Sequence, residues 1–312
     1  LAPDSPKNVA GLRRRILQWY RRNGRAFLWR RTDDPYTILV SEIMLQQTQA
    51  ARVEEKLPAF LKEFPTLKRL ARSTKGDVLR AWRGMGYNNR AVRLRDLARS
   101  VLEQHQGRLP EEPELLDRLP GIGRYTAHAI ACFAFRKRVP VVDVNILRLF
   151  SRLFWRMKDH SERKNLDEVW ELAGRIVPDD AWSWNQSVME LGSTICTAAK
   201  PDCARCPVKE FCASVHLEKE RPARAIGSRR EKPEPSYKGI PRRLWRGRMV
   251  EALRNVREGR SISLDDLGKA IKPDFSAHEA DWLTELVNRL AEDGVVRTAG
   301  SPGKLRVALS AE

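Results

Sequence analysis

The sequence predicts an all-α protein of two helical lobes, followed by a small C-terminal α+β domain of winged-helix-like order. Three observations carry this. Apolar residues recur at helical spacing from Val9 to Phe154, with little strand-like alternation. Four cysteines fall within the 17 residues from Cys196 to Cys212. After Cys212 the composition turns basic and proline-containing before helical periodicity resumes.

Val9–Arg22 reads as an amphipathic helix with Leu12, Ile16, Trp19 and Tyr20 on one face. A loop holding Pro35 follows, then a helix expected from about Tyr36 through Gln49. Turn residues separate the later helices at Phe64-Pro65-Thr66, Gly84-Met85-Gly86, Gly107 and Pro120-Gly121. Residues 221–260 hold thirteen Lys/Arg against four Glu, half of the chain's net charge of +18. Their first part, 221–241, reads as a basic linker. Beyond it, Leu244, Met249, Leu253 and Val256 give Arg243–Val256 helical periodicity. Ser263 can cap a short helix to Ile271, and Ser276 a longer one ending near Asp293. Val295–Arg297 and Leu305–Leu309 flank Gly300-Ser301-Pro302-Gly303 as a hairpin. Three helices and then a β-hairpin is winged-helix order, which serves DNA reading and protein binding equally well.

A length of 312 residues allows two or three domains. Lys and Arg number 58 against 40 acidic residues, and the pI is near 10.1. That balance favours a polyanionic partner, either nucleic acid or an anionic membrane surface. No apolar run approaches the ~20 residues that span a bilayer, and Leu1–Gly11 lacks a signal-peptide layout. The expectation is a cytoplasmic monomer that meets nucleic acid and no membrane, associated with the nucleoid in a prokaryote.

The cysteine spacing is Cys196-x6-Cys203-x2-Cys206-x5-Cys212. Four soft thiolates can surround a metal centre. Zinc usually takes two well-separated CxxC pairs, so the uneven spacing suits a cubane cluster better, with a zinc knuckle as the alternative. Disulfides would call for an oxidising compartment, which nothing in the sequence suggests. Cys132, inside the apolar run Ala129–Phe135, reads as a buried core residue. With Met189-Glu190-Leu191-Gly192 ahead of it and Pro207 within it, this segment resembles the endonuclease III and MutY superfamily of helix-hairpin-helix DNA glycosylases. The resemblance implies a 4Fe-4S cluster held by Cys196, Cys203, Cys206 and Cys212.

Leu119-Pro120-Gly121-Ile122-Gly123-Arg124-Tyr125-Thr126-Ala127 lies between two helical patterns. Gly121 and Gly123 let the backbone turn tightly and approach a ligand. The second helix begins near Arg124, so its free amides and positive dipole end can hold a phosphate, fixing position without reading sequence. The run is similar to the family's hairpin, which implies DNA contacts from Gly121, Gly123, Arg124 and Thr126. Asp143, set between apolar residues at a helix start, reads on its own as an N-cap. The resemblance implies a second role, facing the sugar of a flipped nucleotide and stabilising positive charge as the glycosidic bond breaks, with Asn145 orienting it. Tyr125 stands where bifunctional relatives carry lysine. Without that amine no Schiff base forms, so the resemblance implies a monofunctional enzyme.

Asp34-Pro35-Tyr36 and Ser41-Glu42-Ile43-Met44-Leu45-Gln46-Gln47-Thr48-Gln49 resemble the signature of MutY-type adenine glycosylases. By that resemblance Glu42 protonates adenine at N7 and helps activate water. Gln46 and Gln47 contact DNA, and Gln47 wedges into the base stack with Tyr87 filling beside it. Arg30 and Gln186 align with the base pocket. The resemblance covers about residues 8–215. It implies an iron–sulfur lobe of residues 1–27 and 138–220 and a six-helix lobe of 28–137, followed by the linker 221–241 and the winged-helix-like domain 242–312.

Three features depart from the adenine-specific pattern. Val144 replaces the usual glycine after the aspartate, and Asn88 replaces a second aromatic beside Tyr87. Residues 240–312 are too few and too helical for the β-rich Nudix-type domain that senses 8-oxoguanine. Related thymine–guanine mismatch glycosylases share the first two. The expected substrate is double-stranded DNA with a mismatched or damaged base, foremost adenine opposite 8-oxoguanine or guanine. Thymine or uracil mismatches are the rival within the enzyme class, and a non-catalytic iron–sulfur DNA-binding protein is the rival outside it. The joint presence of Glu42, Asp143 and Tyr125 speaks against the last.

Overall fold

The structure, a computed structural model, describes residues 8–155, 166–215, 234–301 and 304–311. In chain order the helices are α1 (Val9–Asn23), α2 (Pro35–Leu45), α3 (Ala50–Glu63), α4 (Leu67–Ala71), α5 (Lys75–Ala81), α6 (Asn89–Gln104), α7 (Pro113–Leu116), α8 (Arg124–Phe135), α9 (Val144–Phe154), α10 (Leu166–Ile176), α11 (Ala181–Thr194), α12 (Arg242–Arg254), α13 (Leu264–Ile271) and α14 (Ala280–Glu292). The short strands β1 (Ser236–Tyr237), β2 (Ile240–Pro241), β3 (Ile262–Ser263), β4 (Val296–Ala299) and β5 (Arg306–Leu309) all lie in the C-terminal quarter. The expected all-α body with a small α+β appendage is thus observed. Among the described residues no helix is long and apolar enough to cross a membrane.

The chain forms two compact units. The first comprises Leu1–Ile38, Glu111–Asp117 and Ile122–Arg230. Here Leu12 and Ile16 of α1 are fully buried, and α1 packs on α11, which buries Trp184, Val188 and Leu191. α9 lies on the same helix, and the contact is close because of Gly192. A Cβ there would stand 3.0 Å from both the carbonyl oxygen and the Cβ of Asn145, so any larger residue would push the two helices apart.

The second unit comprises Leu39–Pro110, Arg118–Gly121 and Glu231–Glu312. Phe60 of α3 meets Trp82 edge-on at 5.7 Å in a core completed by Phe64, Leu70, Leu94 and Leu97. A capping box starts α5, in which Thr74 and Asp77 satisfy each other's backbone amides. α2 ends at Leu45, four residues short of its expected limit, and Gln47 adopts a left-handed φ of 56°. The cause is Arg90, which takes up the carbonyls of Ile43, Met44 and Gln46 and so closes the helix.

In the same unit the C-terminal segment has the order helix, strand, helix, helix, hairpin. β3, β5 and β4 form an antiparallel sheet in that spatial order, with Ile262 opposite Val307 and Val296 opposite Leu309. Ser263 caps α13 as expected, accepting from the Asp266 amide. Pro302 and Gly303 of the expected hairpin turn lie outside the described residues. So does most of the expected linker, whose last residues instead form the antiparallel β1–β2 pair. This segment rests on α5: Arg254 donates to Leu79 O and to Asn88 Oδ1, both at 2.9 Å. Arg83 adds an ion pair with Glu251 at 3.0 Å.

Candidate active site

Asp143 is the N-cap of α9. Its Oδ1 accepts from the amides of Asn145 at 3.0 Å and Ile146 at 2.7 Å, and its Oδ2 accepts from Asn145 Nδ2 at 2.6 Å. Burial pushes this carboxyl up, and the three hydrogen bonds together with the Arg148 charge act against that shift. Asn145 Oδ1 in turn accepts from Arg148 at 2.9 Å, and Arg148 reaches Gly192 O at 2.6 Å and Cys196 O at 2.8 Å. An unbroken polar relay therefore runs from the aspartate to the backbone of the first cysteine. One turn on, Arg152 donates to Thr197 O and Ala198 O and approaches Cys196 Sγ at 3.5 Å. Val144, next to the aspartate, is 73% exposed.

Cys196, Cys203, Cys206 and Cys212 line one small apolar cavity of about 40 Å³, together with Leu149, Leu153 and Val208. Burial, with the neighbouring sulfurs of Cys196 and Cys212 adding to it, pushes the Cys206 thiol up to about 11. Among the described residues no three His, Cys, Asp or Glu side chains converge on a single ion.

Gly121 has φ 78°, a value that favours glycine, and Gly123 precedes α8 with no side-chain cap on the helix. Tyr125 and Thr126 occupy the first turn of α8, and the Thr126 side chain is buried. Any contact from Thr126 to a phosphate must therefore come from its amide. Arg124 is half exposed but already engaged, donating to Asp167 at 2.9 Å and standing 4.3 Å over the Trp170 ring. In the same unit Arg30 pairs with the fully buried Glu190 at 2.8 Å, and Arg25 binds the other oxygen of that carboxylate at 2.5 Å. Burial raises Glu190, yet the two guanidinium groups outweigh it and hold the carboxyl below its ordinary value. Gln186 is buried on α11.

In the second unit Glu42 is buried on α2, as are Leu39, Ile43 and Met44 of the same helix. Gln46 and Gln47 follow at the bend, with Gln47 exposed. A second bend carries Gly86 (φ 68°) and Tyr87 (φ 44°), and Tyr87 is 56% exposed. Arg90 ties the two bends together. Besides the α2 carbonyls it donates to Thr48 Oγ1 at 3.0 Å, Met85 O at 3.1 Å and Gly86 O at 3.3 Å, and it lies 5.6 Å from the Tyr87 ring. Burial lowers its pKa to about 10, so it remains a cation at neutral pH. Sequence reasoning missed Arg90, Arg148 and Arg254. The only signal for Arg90 was its place at the end of Gly86-Tyr87-Asn88-Asn89-Arg90.

Residues 40–175 match the HhH-GPD superfamily of base excision DNA repair proteins. The adenine DNA glycosylase of Mycobacterium tuberculosis is 40% identical over 244 residues, 77% of each chain. The human adenine DNA glycosylase is 37% identical over 72% of this chain, which spans 43% of that protein's length. Among solved structures, a thermostable thymine-DNA glycosylase superposes with TM-score 0.63 at 31% identity, over 67% of this chain and 97% of that one. An endonuclease III–DNA complex shares the fold, with TM-score 0.58 at 21% identity over 68% of this chain and 99% of that one. The class these matches define is the helix-hairpin-helix DNA glycosylases of base excision repair, hydrolases of the N-glycosidic bond. The chain belongs to the adenine DNA glycosylase family within it.

Proposed function

We propose that this glycosylase removes adenine mispaired with 8-oxoguanine or guanine, acting without strand cleavage of its own. The observation that carries the reading is the setting of Asp143. Burial leaves its carboxyl above the ordinary value, but three N–H donors and the Arg148 charge work against that shift and hold the group in one orientation, which suits a group that faces a developing oxocarbenium ion. Glu42, a buried carboxyl on an apolar helix, would deliver a proton to the departing purine and then draw one from the attacking water. Gln47 and Tyr87 would fill the gap left by the flipped nucleotide, as their exposed, left-handed positions allow. The uncapped start of α8 would hold a backbone phosphate through its amides.

The four cysteines fit a 4Fe-4S cluster, being soft donors around one cavity. When bound, such a group would tie the segment 196–212 into a fixed loop. Arg152 would then steady that loop through Thr197 O and Ala198 O. A reducing, cytoplasmic setting would keep these four thiolates available to such a cluster.

A second reading, removal of thymine or uracil, is favoured by the 31% identity to a thymine-DNA glycosylase and by Val144. Asn88 no longer adds to it, because its side chain accepts from Arg254 and so has a structural reason of its own. Chromatography of the free base released from A:8-oxoG, A:G, T:G and U:G duplexes tests the choice. Free adenine is expected, with strand breaks only after alkali and no covalent complex trapped by borohydride, since Tyr125 offers no amine. Free thymine or uracil without adenine would replace the proposal with the second reading.

A further inference from the structure

The second unit holds a wide groove of about 940 Å³ that begins at Gln47 and Tyr87 and continues along the N-terminal half of α12. Its walls are rich in arginine. Some of that charge is already neutralised within the protein: Arg242 pairs with Glu285, Arg243 with Glu234, and Arg246 with Asp293. Arg93 and Arg248 differ. Both are exposed, neither has a carboxylate partner among the described residues, and Arg248 is braced 4.6 Å over the Trp245 ring.

Gly247 lies beside Arg248 on the same wall. Glycine is among the least favourable residues inside a helix, and a close packing partner usually explains its presence. Here a Cβ would meet nothing within 4 Å, so the protein's own packing does not require it. What the missing side chain provides is bare backbone in the wall of a cationic groove, where another backbone can approach closely. Leu244, 50% exposed, lines the same wall and offers an apolar surface to a sugar face. The domain that carries this wall is anchored to the Tyr87 bend by the Arg254–Asn88 hydrogen bond.

We propose that this groove seats the phosphodiester backbone of duplex DNA beside Gln47 and Tyr87, with Arg93, Arg248 and the bare backbone at Gly247 as its contacts. The C-terminal domain is then a second DNA-holding wall. The proposal rests on the reading of the chain as a glycosylase of duplex DNA.

The test uses the full chain and an undamaged duplex, with Kd measured across a salt series. The Arg93→Ala/Arg248→Ala double variant is expected to bind roughly tenfold more weakly and to lower the slope of log Kd against log salt by about 2, close to one per phosphate contact. Gly247→Leu keeps every charge and should improve helix propensity, yet it is expected to weaken binding several-fold. Arg297→Ala, on β4 and outside the groove, serves as the control for loss of a surface charge. A double variant whose affinity and slope match those of Arg297→Ala would overturn the proposal and leave the groove to another occupant, such as a protein. So would Gly247→Leu with wild-type affinity. Because the duplex carries no lesion, failure of the adenine reading in a base-release assay would not be confused with either result.

Discussion

The two carboxyl groups assigned to the chemistry stand at different places on their helices, one at a start and one in the interior. Asp143 stands at a helix N-cap and is fixed by hydrogen bonds that continue through Asn145 and Arg148 to the Cys196 carbonyl. Glu42 stands within α2, buried like its helix neighbours Ile43 and Met44, and Arg90 closes the end of that helix. The first arrangement links the aspartate to the cysteine loop that begins at Cys196, so a change in either should be felt at the other. The second links the glutamate's helix to the bend of Tyr87, so damage there should spread through backbone geometry. A helix cap and a helix interior are two places to set a carboxylate, and they should fail differently.

The largest difference is expected from Asp143→Asn. Asparagine still caps a helix, so thermal stability should change little, while single-turnover base release falls by about 10³-fold. An Asp143→Asn protein as active as the parent would remove the electrostatic role from this half. Next comes Arg90→Ala, which strands buried carbonyls of both bends and should cost about 3 kcal/mol in denaturant unfolding. Arg90→Lys should recover only part, because lysine lacks the planar fork that reaches both bends. Full recovery would mean that charge alone suffices.

Gly192→Ala probes the relay from its other side. The added methyl presses on Asn145, so a loss of about 1–3 kcal/mol is expected. A fall in base release should accompany it through the displaced Asn145. Stability loss without any rate effect would show that Asn145 does not position the aspartate.

The smallest effect belongs to the C-terminal domain. The Tyr237 hydroxyl at 2.6 Å and the Lys272 ammonium at 2.9 Å hold the Glu279 carboxyl well below its ordinary range. A depressed folded-state pKa contributes stability that is fully present above the unfolded value, about 4.3, and is lost as pH falls through the folded one. Glu279→Gln should therefore flatten the acid limb of the unfolding curve below about pH 4 and leave the curve's shape at neutral pH alone. An unchanged acid limb would deny the pair its role.

Much of this was readable in the sequence where chemistry and chain order coincide. The cysteine spacing, the Asp143 cap and the Gly121 turn are local features, and each declares itself within a few residues. The terminal domain's helices and hairpin were likewise visible through Ser263 and the apolar periodicity. Arg90 was not readable, since its acceptors belong to two bends that meet only in the folded unit. For the same reason the α2 periodicity continued on paper to Gln49, past the point where Arg90 ends the helix. Asn88 is visible in the sequence as a departure from the family pattern, but its role as an acceptor for Arg254, distant in sequence, is not. Glu190 could be seen within Met189-Glu190-Leu191-Gly192, but its pairing with Arg25 and Arg30 could not.

The most direct test of the account is the single-turnover rate of adenine release from an A:8-oxoG duplex by Glu42→Gln, with duplex affinity measured alongside. A fall of two or more orders of magnitude, with affinity held within a few-fold, is the predicted result for a general acid acting on a purine. Adenine release at the parent's rate would contradict it and remove Glu42 from the chemistry.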